Sequence, residues 1–272
     1  MQLLNIVTSC MVSIGMVPDS KYRMLYVPDS KYRMLYVLNA AALTKPHAVE
    51  HLATDLHSYN TDVAVITESH LKLKHTDNVV AVPGYTLLRR DRQRRRGGGV
   101  ALYVRTSLPS SEWNFSGNDR TYELLWARVS NTIVGALYHP PRPLYTTDSL
   151  LDYIEACLEE LFCEFPSTSV VLAGDFNQLD DNSVVERTGF AQLVQQPTRG
   201  PNTLDRIFVS GPIYESIRVV TPVMRSDHKA VVAYAEHVQP TVKATTKKLY
   251  REVTPAQHAS FFCSTFPLWT LT

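Results

Sequence analysis

An α/β layered domain is predicted by three observations on this 272-residue chain. Short apolar, strand-like runs recur along it, two helical periodicities each stand just ahead of such a run, and hairpin-like segments fill Tyr85 to Val134. Helices that feed strands, mixed with hairpins, are the pattern of helices layered on sheets.

Taken in order, Arg33-Met34-Leu35-Tyr36-Val37-Leu38 reads as a buried strand that delivers Asn39 at its end. Val49, Leu52, Ala53, Leu56 and Tyr59 then recur at helical spacing after Pro46. Val63 to Thr67 is a second buried strand, ending at Glu68. Val100 to Val104 reads as a strand, and Ile133 to Leu137 as another, which delivers Tyr138 ahead of His139-Pro140-Pro141. The second helix carries Leu151, Ile154, Leu158, Leu161, Phe162 and Phe165, with Thr147 or Asp148 as its capping residue. Ser169 to Ala173, between Pro166 and Gly174, reads as a strand buried on both faces. Leu204 to Val209 alternates like a half-buried strand with Asp205 near its start, and Lys229 to Tyr234 is the last strand-like run.

Three strings carry chemistry: GDFN at Gly174 to Asn177, TLDRIFVS at Thr203 to Ser210, and SDH at Ser226 to His228. A carboxylate just past a strand end, such as Asp175, holds a divalent cation or takes a proton from water, and Asn177 holds that water without adding charge. Taken alone, GDFN also fits an Asx-type turn closing a strand. A histidine needs a partner on one ring nitrogen to fix its tautomer, and either Asp227 or Asp205 could supply it to His228. Singly, Glu68 also reads as a solvated strand end, Asn39 as a helix cap, Tyr138 as an aromatic packed on Pro140, and His228 as a surface histidine.

The ordered set Asn39, Glu68, Tyr138, Asp175-x-Asn177, Asp205 and Ser226-Asp227-His228 resembles the endonuclease/exonuclease/phosphatase superfamily. Within it the chain is most similar to the apurinic/apyrimidinic-like endonuclease domains of non-LTR (LINE-type) retrotransposon polyproteins, from about Arg33 to about Ala235. LNAAAL at Leu38 to Leu43, ITESHL at Ile66 to Leu71, GGGVALYV at Gly97 to Val104 and QPTRGPNTLDRIFVS at Gln196 to Ser210 extend the likeness. The resemblance implies a DNase I-like four-layer sandwich of two mixed β-sheets flanked by helices. It also implies that Glu68 is the main metal ligand, with Asn39 beside it and Asp227 on the metal side. Asp175 would activate or orient the attacking water, supported by Asn177. His228, oriented by Asp205, would hydrogen-bond the scissile phosphate, Tyr138 would also contact it, and Ser226 would stand behind them. Mg²⁺, with Mn²⁺ as the alternative, suits an oxygen-rich site with few protein ligands. One metal or two, and which Asp is the base, stay open. An abasic-site repair nuclease or phosphatase of the same fold, and a catalytically dead DNA-binding remnant, are the competing readings.

The chain departs from that branch at Ala41-Ala42, where Arg-Ser is often found. It also carries a perfect tandem repeat, VPDSKYRMLY at Val17 to Tyr26 and again at Val27 to Tyr36. Ten residues twice over make no solenoid, and Pro28-Asp29 would stop a central strand. Residues 1–30 are therefore expected to be extra, residues 31–238 to form the endonuclease domain, and residues 239–272 to resemble the basic linker toward a reverse transcriptase domain, here absent.

A net charge of +1 and 44% hydrophobic content suit one globular domain with a large core. Cys10, Cys157, Cys163 and Cys263 show neither CxxC spacing nor a secreted framework, so zinc is not implied. No stretch is long enough for a membrane span, and Met1 to Met16 lacks the basic start of a signal peptide. A monomer is expected, nuclear when acting on DNA and otherwise cytoplasmic, not secreted. Arg89, Arg90, Arg92, Arg94, Arg95 and Arg96, against the single Asp91, form the one strong charge cluster and suit phosphate contacts along DNA, or else a solvated loop. Gly97-Gly98-Gly99 precedes a strand, not a helix, so it reads as an aid to tight strand packing rather than a nucleotide-binding loop.

Overall fold

A computed structural model describes residues 34–93 and 95–235. The expectations for residues 1–30, for Arg33, for Arg94 and for the basic tail lie outside the described residues.

Twelve strands and three α-helices follow one another in these residues. They are β1 (Met34–Asn39), α1 (Ala48–Ser58), β2 (Val63–Thr67), β3 (Tyr85–Arg90), β4 (Val100–Arg105), β5 (Ser110–Trp113), β6 (Glu123–Val129), β7 (Thr132–Tyr138), α2 (Thr147–Glu164), β8 (Ser169–Asp175), α3 (Asp181–Thr188), β9 (Ala191–Gln192), β10 (Asp205–Val209), β11 (Ser216–Val220) and β12 (Ala230–Tyr234). Two six-stranded mixed sheets result, ordered β11-β12-β1-β2-β4-β3 and β5-β6-β7-β8-β10-β9. Each sheet has one parallel pair at its centre, β1 with β2 and β7 with β8. Parallel neighbours need a crossover, and α1 and α2 supply it.

Alternate residues of the central strands enter different cores, which is why their sequences are continuously apolar. Leu35, Val37, Val63 and Val65 meet Val134, Ala136, Val171 and Ala173 between the sheets. The opposite faces of β1 and β2, with Tyr36, Leu38, Ala64 and Ile66, pack on Leu52 and Leu56 of α1. Those of β7 and β8, with Ile133, Leu137, Val170 and Leu172, pack on Ile154, Leu158 and Leu161 of α2. Helix, sheet, sheet and helix make the four-layer sandwich.

Several local expectations are corrected. The α2 cap is Thr146, one residue earlier than expected, with its side chain accepting from the Ser149 amide. β10 is buried on both faces rather than half-buried, because Phe208 packs under the helices while Ile207 and Val209 face the other sheet. Its polar residue Arg206 is accommodated by donating to the Leu179 carbonyl at 2.7 Å and pairing with Asp181 at 2.8 Å. The three glycines lie in a left-handed turn before β4 (φ +72°, +66° and +85°), and a side chain at Gly98 would collide with Arg92 and Glu123. The free thiols among the described residues are Cys157, buried, and Cys163, exposed. No described helix is long and apolar enough to cross a membrane.

Candidate active site

Strand register gathers polar residues at one end of the sandwich. In the parallel pairs, Asn39 lies opposite Thr67, next to Glu68, and Tyr138 lies opposite Asp175. β10 runs antiparallel to β8, so its first residue, Asp205, also lies opposite Asp175. β12 runs antiparallel to β1, which brings the segment just before Ala230 back to the end of β1. The Ser226 hydroxyl donates to the Asn39 carbonyl at 2.7 Å and accepts from the His228 amide at 3.1 Å, locking that segment in place.

Asn39 joins the two sheets chemically. Its Nδ2 donates to Glu68 Oε1 at 3.0 Å and to Asp175 Oδ2 at 2.8 Å, while its Oδ1 accepts from the Ala41 amide. It therefore bridges the two carboxylates as a donor. The Tyr138 hydroxyl donates to Glu68 Oε1 at 3.0 Å, and His70 Nε2 lies 3.1 Å from Glu68 Oε2. Burial opposes ionisation of Glu68, but the hydrogen bonds from His70, Asn39 and Tyr138 outweigh it and hold the carboxyl at about 2.

The other carboxylate is pushed the opposite way. Burial, and next the charge of Asp205, raise Asp175 well above the ordinary carboxylate range. The Asn177 amide donates to Asp175 Oδ1 at 3.0 Å, while the Asn177 side chain donates to the His139 carbonyl. His228 Nδ1 lies 2.7 Å from Asp205 Oδ2, and both residues are buried. Asp205 is thus the histidine's partner, and the Asp227 alternative falls away. Burial disfavours the charged imidazole, yet the Asp205 hydrogen bond and charge carry its pKa above the ordinary value.

The loops holding this cluster have left-handed backbone at several residues with side chains: Ala41, Ala42, Glu68, His70 and Asn177 have φ of +46°, +101°, +48°, +56° and +45°. The Ala42 and Leu43 amides donate to the Glu68 and Ser69 carbonyls, so the turn after β1 is zipped to the turn after β2. Strain of this kind persists where surrounding contacts over-determine it.

Residues 30–228 match the model of the Endonuclease/Exonuclease/phosphatase family. The chain belongs to this family. Among solved structures it is similar to the endonuclease domain of TRAS1, a telomere-specific non-LTR retrotransposon, with 16% identity and a TM-score of 0.56 over 77% of this chain and 100% of that one. It is also similar to the AP endonuclease LMAP from Leishmania major, with 15% identity and a TM-score of 0.57 over 76% of this chain and 89% of that one. A third is the 3′ phosphatase NExo from Neisseria bound to product DNA hairpin, with 15% identity and a TM-score of 0.54 over 74% and 98% of the two chains. At these identities the likeness shows the fold. No curated protein sequence matches the chain.

In this Endonuclease/Exonuclease/phosphatase family member, the structure brings together Asn39, Glu68, Tyr138, Asp175, Asn177, Asp205, Ser226 and His228. Asp227, expected on the metal side, is engaged elsewhere: it is half exposed and pairs with Arg199 at 2.5 Å. The arginine run is divided. Arg89 bonds to His75, Asp77 and Asp91, Arg90 to Leu124 and Asn118, and Arg92 to Glu123, leaving Arg95 and Arg96 as its exposed members among the described residues. Two residues without an expected role in catalysis belong to the site. They are His70, two positions after Glu68, and Arg92, whose guanidinium lies 5.3 Å from the Tyr138 ring centre. His70 falls inside ITESHL and Arg92 inside the arginine run, but neither interrupts an apolar run at a strand end, the signal that marks the other members.

The donor set fits a hard cation. Glu68 is held ionised, and Asp175 is a second oxygen donor joined to it through Asn39. Such a site suits an ion that keeps most of its water, as Mg²⁺ does.

Proposed function

We propose that this chain is a metal-dependent DNA endonuclease that hydrolyses one phosphodiester in one strand, leaving a 3′ hydroxyl that primes reverse transcription of a retrotransposon. The observation that carries the reading is the pairing of differently tuned groups across Asn39: an ionised Glu68 on one side, and a high-pKa Asp175 beside the Asp205–His228 pair on the other. Glu68 would hold Mg²⁺, with Asn39 beside it aligning the two carboxylates through its Nδ2, and the ion when bound would supply positive charge against the negative charge growing on the phosphate.

The raised pKa of Asp175 suits a general base working near neutral pH, because a more basic carboxylate accepts a proton more readily. Water would lose its proton to Asp175 as its oxygen attacks phosphorus, the bond to the 3′ oxygen would break, and that oxygen would take a proton from solvent to become the 3′ hydroxyl. With its pKa raised, His228 can carry both protons, Nδ1–H donating to Asp205 and Nε2–H to a nonbridging phosphate oxygen. Tyr138 would keep Glu68 in place and touch the phosphate only by giving up that bond. The retrotransposon role rests on the LINE-like motifs and on the fold shared with the TRAS1 domain, and it implies action in the nucleus.

End chemistry tests the proposal. A labelled duplex incubated with the protein and Mg²⁺ should give single-strand nicks that a DNA polymerase extends directly. Nicks that need phosphatase treatment before extension would contradict it, and cleavage confined to an abasic duplex would favour a repair nuclease.

A further inference from the structure

Beyond the catalytic cluster, the loops before β4 and β6 enclose two adjoining cavities that share Arg92, Gln93 and Arg120 in their linings. The larger, about 680 Å³, reaches Lys72, Leu73 and Lys74, and the smaller, about 370 Å³, reaches Pro140, Leu144 and Tyr145. Together they form a trough. They join at Arg92, whose guanidinium lies over the Tyr138 ring, and the larger follows the turn after Glu68.

Its cations are not equivalent. Arg89 and Arg92 are engaged by the lining carboxylates Asp91 and Glu123, whereas Lys74, Arg95 and Arg120 are exposed, with Glu112 and Asp119 as the exposed acids beside them. The turn bearing Lys74 is braced: the Lys72 ammonium donates to the Arg92 and Arg95 carbonyls at 2.8 and 2.7 Å, and the Lys72 amide donates to His75 Nδ1. That brace holds Leu73 outward, 89% exposed, and Leu144 at the opposite end is 75% exposed. Large apolar side chains so exposed and flanked by cations suit a ligand that offers phosphates along its edge and apolar sugar and base surface between them.

We propose that this trough seats the duplex DNA backbone leading away from the scissile phosphate, with Lys74 and Arg120 contacting phosphates and Leu73 and Leu144 packing on the groove between them. The inference rests on the endonuclease reading for its ligand and moves the expected DNA contact from the inward arginines of the 89–92 segment to residues outside it.

The test is binding of the whole chain to a labelled duplex in EDTA over a range of salt, comparing the wild type with Lys74→Glu/Arg120→Glu, Leu73→Ser/Leu144→Ser and the remote control Arg128→Glu/Arg218→Glu. The trough predicts a salt dependence shallower by about 2 in the first variant, roughly one unit for each phosphate that its side chains no longer neutralise. The leucine variant should bind several-fold more weakly with an unchanged salt slope, and the control should match the wild type. Equal slopes in the first variant and the control would overturn the inference, as would tighter binding to single-stranded RNA than to duplex. The endonuclease reading is scored separately, by wild-type nicking: binding through the trough without nicking removes the enzyme and keeps the surface, and nicking with unaltered slopes does the reverse.

Discussion

His228 illustrates how much of the chemistry rests on single partners. With Nδ1 held by Asp205, its pKa lies above the ordinary value of about 6.5, so the stability gained from this pair is fully present below about pH 6.5 and is lost as pH rises through the higher folded value. Asp205→Asn should therefore flatten the fall in melting temperature above neutrality, and a curve unchanged from wild type would deny the linkage. Asp175→Asn removes the proton acceptor and should lower the nicking rate by about 10²–10⁴. Because burial and the charge of Asp205 raise Asp175, wild-type activity should decline as pH falls below neutrality, earlier than for an ordinary carboxylate. His70→Ala deprives Glu68 of one donor, and half-maximal activity should then need about 10–100 times more Mg²⁺, with the rate at saturating metal less affected. The candidate set was legible residue by residue because its members stand beside one end or the other of an apolar run. Its internal bonds were not, since which Asp meets His228 depends on the register of β10 against β8.

Among the elements, the turn after β1 and the end of β8 are the most demanding. Gly174 has φ +143°, and a side chain there would collide with the Leu137 carbonyl of β7. Gly174→Ala should thus separate the central parallel pair next to Asp175 and abolish cooperative folding or activity. Ala42 presents the contrary case. At φ +101° it sits where glycine is easier, so Ala42→Gly should raise stability by about 1–3 kcal/mol, read as a higher melting temperature. The long helices and central strands were legible from periodicity, because α1 and α2 bury one face and the strands bury both. Three short elements escaped. α3 is eight residues of mostly polar sequence capped by Asp180, β9 is only two residues long, and the edge strand β11 is half-buried along its length.

For the whole molecule, the two-sheet architecture explains why a modest set of residues suffices. Each sheet carries one parallel pair, the paired strand ends face one rim, and Asn39 stitches the sheets together there by bonding Glu68 and Asp175. The sequence pointed to an α/β layered domain and, by resemblance, to this sandwich. Strand order could not be read from it, because β1 pairs with β12 from the far end of the domain and β4 stands between β2 and β3. If that rim is where phosphodiester hydrolysis happens, a supercoiled-plasmid nicking assay will show it. The full chain and a form starting near Lys31 would each be compared, with Mg²⁺ or EDTA, against Asp175→Ala and His228→Ala. Relaxation that requires Mg²⁺ and is lost in both variants is the predicted result. DNA binding without nicking in either length, or nicking that survives both substitutions, would contradict it.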